Sequence, residues 1–226
     1  MKSQANRGPG RPQDPKRRER RTEEILDVAT RVFAESGFHE TDVQVVADEL
    51  GVGKGTVYRY FPSKEELFLA AIDRGLQRLK ARIDGRMAAV EDPLERMAAA
   101  IRAYLEFFAQ NRHVVELLIQ ERAAFKDRRR PRYFEYYERD VGPWRAMLER
   151  LIAQGRIRPV PVERILTVMG DLLYGTMFTN FFSHRRASVN TQVADILDIV
   201  FHGILSDSER RLSKSSPVEE ARSEMR

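Results

Sequence analysis

Two helix-start signals with a glycine turn between them constrain this chain more than any other feature. Thr41-Asp42-Val43-Gln44 and Ser63-Lys64-Glu65-Glu66 each fit the S/T-x-x-E/Q capping box, in which side chains satisfy the orphan donors of a helix's first turn. Between them, Gly51-Val52-Gly53 interrupts the first helix, and Pro62 stops a second short one running from Lys54 to Phe61. Two short helices joined by a glycine-flanked turn make a helix-turn-helix. Val45, Val46, Leu50, Val52 and Val57 supply a small apolar core to fix the angle between them. The second helix offers Lys54, Thr56, Tyr58, Arg59 and Tyr60, none acidic and all able to hydrogen-bond. Its N-terminal N–H groups, from Gly53 to Thr56, present a positive dipole end, which suits a phosphate or a base edge in a DNA major groove.

The rest of the chain carries apolar residues at helical spacing. Ile25, Val28, Val32 and Phe33 lie on one face of a helix expected from Thr22 to a stop at Gly37. The second capping box opens a long amphipathic helix to about residue 88. Asp92-Pro93-Leu94-Glu95 starts another, with a cap, proline at the first helical position and an acid in the first turn. Further helices are expected over 113–126, over 132–154 with a break at Gly142-Pro143, over 162–184 and over 191–205. No segment shows sustained strand alternation. The expected fold class is therefore all-α: a disordered basic arm (1–21), a helix-turn-helix domain (22–75), a helical regulatory and dimerisation domain (76–205) and a polar tail (206–226).

Composition closes several routes. The 226 residues are 42% hydrophobic and 32% charged, enough apolar material for a folded core. Cysteine is absent, which removes disulfides, thiolate metal sites and cysteine nucleophiles. The four histidines lack metal-ligand spacing, and no Ser/His/carboxylate arrangement stands out, so neither a metal or other cofactor nor an enzyme is expected. The longest uncharged run, Leu172 to His184, is 13 residues, short of the roughly 20 needed to span a bilayer. The N-terminus lacks the apolar core of a signal peptide, so a cytoplasmic location is expected. Gly51-Val52-Gly53-Lys54-Gly55-Thr56 mimics a phosphate-binding loop by eye. Asp48 stands where that motif needs its first glycine, though, and a helix precedes it instead of a strand.

The net charge of +5 matters less than its placement. Residues 1–22 hold eight Lys/Arg against two Asp/Glu, and residues 23–75 hold five against eleven. Inside that acidic stretch, 51–64 carries three cations and no acid. A basic arm and a basic window separated by acidic helix faces form a patterned surface. The arm includes Gly10-Arg11-Pro12, similar to the core of AT-hook segments that lay arginine in a narrow minor groove, with a solubilising tail as the alternative.

The run TDVQVVADELGVGKGTVYRYFPSKEELF, residues 41–68, resembles the DNA-binding domain of TetR/AcrR-type transcriptional regulators. The preceding RRTEEILDVATRVFAESGFHET is similar to that domain's first helix. The resemblance implies that Thr41, capping the second helix, and Lys64 touch phosphate. It also implies that Lys54, Gly55 and Thr56 enter the major groove and that Thr56 or Arg59 reads bases. Tyr58 and Tyr60 would bond phosphates, and Gln44 and Arg11 join the candidate DNA contacts. Phe61 is assigned to the core. Glycine at 53 and 55 shortens the base-reading inventory.

For the remaining two-thirds the resemblance implies a homodimer through the last two helices, with Gly170, Gly175 and Thr176 allowing close approach, and a small-molecule effector pocket. From residue type alone the pocket candidates are Phe107, Phe108, Phe125, Tyr133, Phe134, Tyr137, Trp144, Met147, Tyr174 and Phe178, suited to a lipophilic or planar compound. Arg122, Lys126 and Arg128 to Arg132 form a cation cluster, read as a solvated loop or a site for an acidic partner. The expected function is a DNA-binding transcriptional regulator, a repressor released from its operator by such an effector. Two alternatives stay open: the same reader without small-molecule input, and a helical protein-interaction module.

Overall fold

The computed structural model describes residues 15–183 and 188–202, and all regular structure in them is α-helical. Ten helices follow in order: α1 Pro15–Ser36, α2 Val43–Glu49, α3 Lys54–Tyr60, α4 Lys64–Ala88, α5 Pro93–Gln110, α6 Arg112–Ala124, α7 Arg132–Asp140, α8 Gly142–Ala153, α9 Val162–Ser183 and α10 Val189–His202. The polar tail and the part of the basic arm before Pro15 lie outside the described residues.

Helix α1 begins seven residues earlier than its apolar pattern indicates, so residues 15–21 are helix and not disordered arm. The cause is local. Proline occupies the first position, where its missing N–H costs nothing, and strong helix formers follow. Arg20 and Arg21 pair with Glu24 at 3.1 and 3.0 Å, and the Thr22 hydroxyl donates to the Arg18 carbonyl at 3.0 Å.

Ile25, Leu26, Ala29, Val32 and Phe33 of α1 pack on Leu67, Phe68, Ala71 and Ile72 of α4, with Val43, Val46 and Ala47 of α2 and Val57 of α3 completing the core. Val45, expected among these, instead points outward with 45% exposed, because α2 turns its 43/46/47 face inward. Phe61 packs against the core as expected. The same core runs without a break into the second domain. Phe38 packs edge-on against Phe68 at 5.0 Å and tilted against Phe125, beyond α6, at 4.8 Å, and Gln120 of α6 donates to the Phe33 carbonyl at 2.9 Å. A Cβ at Gly75 would lie 2.9 Å from Val114 Cγ1, so glycine lets α4 and α6 approach closely. The boundary expected at residue 75 therefore falls in the middle of α4, a single rigid 25-residue helix shared by both parts.

The acidic face of α1 is neutralised from α4. Arg74, only 6% exposed, bonds Glu23 at 2.7 Å and also pairs with Asp27, while Arg78 reaches both acids at 3.3 and 3.2 Å. Half of the cation cluster is consumed in the same way. Arg128 pairs with the buried Glu121, Arg130 with Glu138, and Arg132 with Asp73 and Glu135. Three of its six cations are therefore tied into ion pairs with neighbouring helices. The carboxylate of Glu121 accepts the Arg132 backbone N–H at the start of α7. Burial raises the pKa of Glu121 and of Asp73.

Candidate DNA interface and effector cavity

The turn between α2 and α3 is closed by Gly51 at φ +63°, a left-handed conformation that side chains rarely adopt. Asp42, not Thr41, caps α2, its carboxylate accepting the Gln44 N–H at 2.8 Å. Thr41 instead donates its hydroxyl to the Gly37 carbonyl at 2.6 Å and is 3% exposed. Because Gly37 turns the chain at φ +83°, its carbonyl draws the threonine side chain inward, away from the surface assigned to it. Gln44 donates to Asp48 at 2.6 Å.

Along α3, Gly55, Tyr58 and Arg59 are exposed, and Lys54 and Thr56 are partly so. Arg59 makes no ion pair and Tyr58 no hydrogen bond among the described residues, so both face outward uncommitted. Space around Gly53 and Gly55 is open, leaving the start of α3 flat. Lys54 pairs with Asp42 at 2.5 Å. Lys64 donates to the carbonyls of His39 and Thr41 at 3.0 and 3.1 Å and lies over the Phe38 ring, stapling α4 to the loop before α2. Tyr60 is half-buried, with the Arg18 guanidinium 5.9 Å from its ring centre. The helical extension of α1 thus brings the basic arm's base beside the end of α3.

The Gln44 N–H, then Lys54, hold the Asp42 carboxyl below its ordinary range. Its stabilisation is therefore complete above the usual carboxylate pKa and is lost as pH falls through the lowered folded value. Asp42→Ala should melt below the parent at neutral pH and converge with it in strong acid. Parallel melting curves at every pH would show that the cap contributes nothing.

A cavity of about 210 Å³ lies between α4, α5, α7, α8 and α9. Leu76, Leu79 and Ile83 of α4, Met97 and Ile101 of α5, and Leu166, Met169 and Leu173 of α9 form apolar walls, with Tyr104, Tyr133, Tyr136, Tyr137 and Trp144 as aromatic ones. Lys80, Asp84 and Asp140 stand among the lining residues, and Lys80 pairs with Asp84 at 2.7 Å. Tyr137 donates to the Leu166 carbonyl at 2.9 Å, and a Cβ at Gly170 would meet its hydroxyl at 3.2 Å. Gly170 thus accommodates a contact within the chain, while Gly175 faces open space.

Residues 25–71 match the family described as bacterial regulatory proteins, tetR family, and residues 90–176 match the tetracyclin repressor-like C-terminal domain. The transcriptional regulator YhgD of Bacillus subtilis is 30% identical over 155 residues, 68% of this chain and 81% of YhgD. The chain belongs to the TetR family. The repressor KstR2 of Mycobacterium tuberculosis is 30% identical over 60% of this chain and 68% of its own. Its solved structure, described as that of a ketosteroid transcriptional regulator, superposes with a TM-score of 0.60 at 26% identity over 83% of this chain and 96% of that one. The activator FasR of Mycolicibacterium smegmatis is 29% identical over 103 residues, 46% of this chain but only 47% of FasR.

Of the pocket residues expected from residue type, this TetR-family chain brings Tyr133, Tyr137 and Trp144 to the cavity. The others pack elsewhere. Phe125 joins the Phe38–Phe68 cluster, and Phe108 packs edge-to-face against both Phe107 and Tyr104. Tyr174 and Phe178 form a ladder with Phe134, and Met147 packs with Leu148 and Leu151 in a second, smaller core. Tyr104 and Tyr136, which do line the cavity, were missed because nothing local in sequence separates a cavity aromatic from a core one. No described helix is long and apolar enough to cross a membrane, and no described group of acids and histidines is arranged to hold a metal ion.

Proposed function

We propose that this TetR-family regulator is a cytoplasmic, homodimeric repressor that leaves its operator when a small lipophilic or aromatic effector enters the cavity. One observation carries the reading: α4 serves both sites. Its first half, with Leu67, Phe68, Ala71 and Ile72, is the floor of the helix-turn-helix core, and its second half, with Leu76, Leu79 and Ile83, is a wall of the cavity. An occupant that shifts the second half must move the first. To change operator occupancy it must also bind the two arrangements with different affinity.

DNA contact is assigned to Arg59, Tyr58, Thr56 and the flat backbone at Gly55. Lys54 exchanges Asp42 for a phosphate, Gln44 and Tyr60 stand at the flanks, and Lys64 acts through the loop it staples. Arg11, outside the described residues, is assigned an added minor-groove or phosphate contact. The dimer reading is supported by α9 and α10. Only Leu166 and Met177 of the 22 residues in α9 are buried in the single chain, and Val168, Phe182, Ile199 and Phe201 are 58, 64, 49 and 43% exposed. Large apolar side chains exposed on two helices are what an interaction surface presents. The cavity walls support the lipophilic character of the effector, and the relative KstR2 is described as a ketosteroid transcriptional regulator.

Footprinting on the promoter beside the gene tests this. Protection of two half-sites about one helical turn apart is expected, with loss of protection when a lipophilic effector is added. Protection that no lipophilic compound reverses would favour a regulator without small-molecule input. Absence of any specific footprint at moderate salt would overturn the reading.

A further inference from the structure

Two of the tyrosines lining the cavity, Tyr104 and Tyr133, meet through their phenols. The Tyr104 and Tyr133 hydroxyls lie 2.9 Å apart, on residues 5 and 9% exposed, and both residues line the cavity. Among the described residues, the only other hydrogen-bond partner of the pair is the Met177 sulfur, 3.8 Å from the Tyr104 oxygen. Thioether sulfur is a weak acceptor. Tyr104 donates to that sulfur and accepts from Tyr133, so one of the two buried hydroxyl hydrogens ends on a weak acceptor, and a ligand oxygen would be a stronger one.

The charge around the pair restricts what that oxygen belongs to. Burial pushes the Tyr133 hydroxyl up to about 12 and raises that of Tyr104, so both remain neutral donors at physiological pH. The only cation among the lining residues, Lys80, is half-exposed and already paired with Asp84, and the guanidinium of Arg139 lies 4.0 Å over the Tyr136 ring. Of the lining acids, Asp84 is paired with Lys80 and Asp140 lies 3.7 Å from the Arg139 guanidinium, so no lining cation is left to pair with an anion. An ionised carboxylate at the phenol pair would be desolvated with no counter-charge, a cost that one or two neutral hydrogen bonds do not offset.

Resting on the reading of this cavity as the effector site, we infer that the effector is an uncharged, mainly apolar molecule carrying one ketone or hydroxyl oxygen, received by the Tyr104–Tyr133 pair. The cavity volume, about 210 Å³, suits a small ligand such as a medium-length chain or a single ring system.

Trp144 is the chain's one tryptophan and lines the cavity, so intrinsic fluorescence reports occupancy without DNA. Full-length protein is titrated with methyl heptyl ketone and with octanoate, its carboxylate isostere. The ketone is expected to quench Trp144 and to bind at least tenfold tighter. Tyr133→Phe and Tyr104→Phe, which keep the rings, are expected to lose about tenfold in ketone affinity, the scale of one neutral hydrogen bond, with octanoate binding unchanged. Octanoate binding as tightly as the ketone in the parent protein overturns the inference without needing either variant to fold. So does an unaltered ketone affinity in both variants. Ketone binding that never releases a footprinted operator would overturn the effector reading while leaving the phenol-pair recognition standing.

Discussion

Arg59→Ala is expected to weaken operator binding by about two orders of magnitude at fixed salt, with thermal unfolding unchanged. Arg59 is exposed on α3 and makes no ion pair among the described residues, so its removal leaves no acid stranded and no cavity behind. A good side-chain-to-base contact contributes ~1–3 kcal/mol, and in a dimer the substitution is present twice. Tyr58→Phe, which deletes only a hydroxyl, is expected to cost less, about tenfold. Specificity separates the two roles Arg59 can play. Relaxed preference at one base pair of each half-site identifies a base contact, and a shallower salt dependence with unchanged preference identifies a phosphate contact. Affinity within twofold of the parent, with both profiles unchanged, would remove Arg59 from the interface.

Phe68→Ala is expected to cost ~3–5 kcal/mol of stability, the range for deleting a buried aromatic ring. Phe68 is fully buried, its ring packed edge-on against Phe33 at 5.1 Å and close to Phe38 at 5.0 Å and Phe125 at 5.8 Å. These four rings connect α1, the loop before α2, α4 and the end of α6. The loss should therefore appear as one shifted denaturation transition and not as selective melting of the helix-turn-helix. Since single domains hold only ~5–15 kcal/mol in total, operator binding at elevated temperature should fall with it. A cost below about 1 kcal/mol, or two separate transitions with only the first shifted, would contradict the continuous core.

Helix existence was legible because capping and turn chemistry are local. Asp92 accepts the N–H groups of Leu94 and Glu95 at 2.9 and 3.1 Å, and Ser63 caps α4, both as their motifs indicate. Errors arose where two local solutions compete. Thr41 and Asp42 are both good caps, and the choice went to Asp42 because the carbonyl of Gly37, on the far side of the turn, takes the Thr41 hydroxyl. Seven residues of basic helix in α1 were invisible to hydrophobic periodicity because they carry no apolar stripe, and i,i+4 pairs hold them instead.

The sequence by itself determined the all-helical class and the helix-turn-helix, since these depend on spacing and turn chemistry within a few residues. Only the tertiary structure decided which aromatics face a cavity and which fill the core, and which of the Arg122–Arg132 cations are already paired. It also decided that α4 joins the helix-turn-helix core to the cavity. Those outcomes depend on which face of each helix meets residues far along the chain, as when Tyr104 reaches Tyr133 or Arg74 reaches Glu23. The charge surplus in the arm suggested a DNA partner. The packing of α4 is what supports regulation of that partner by a molecule bound elsewhere.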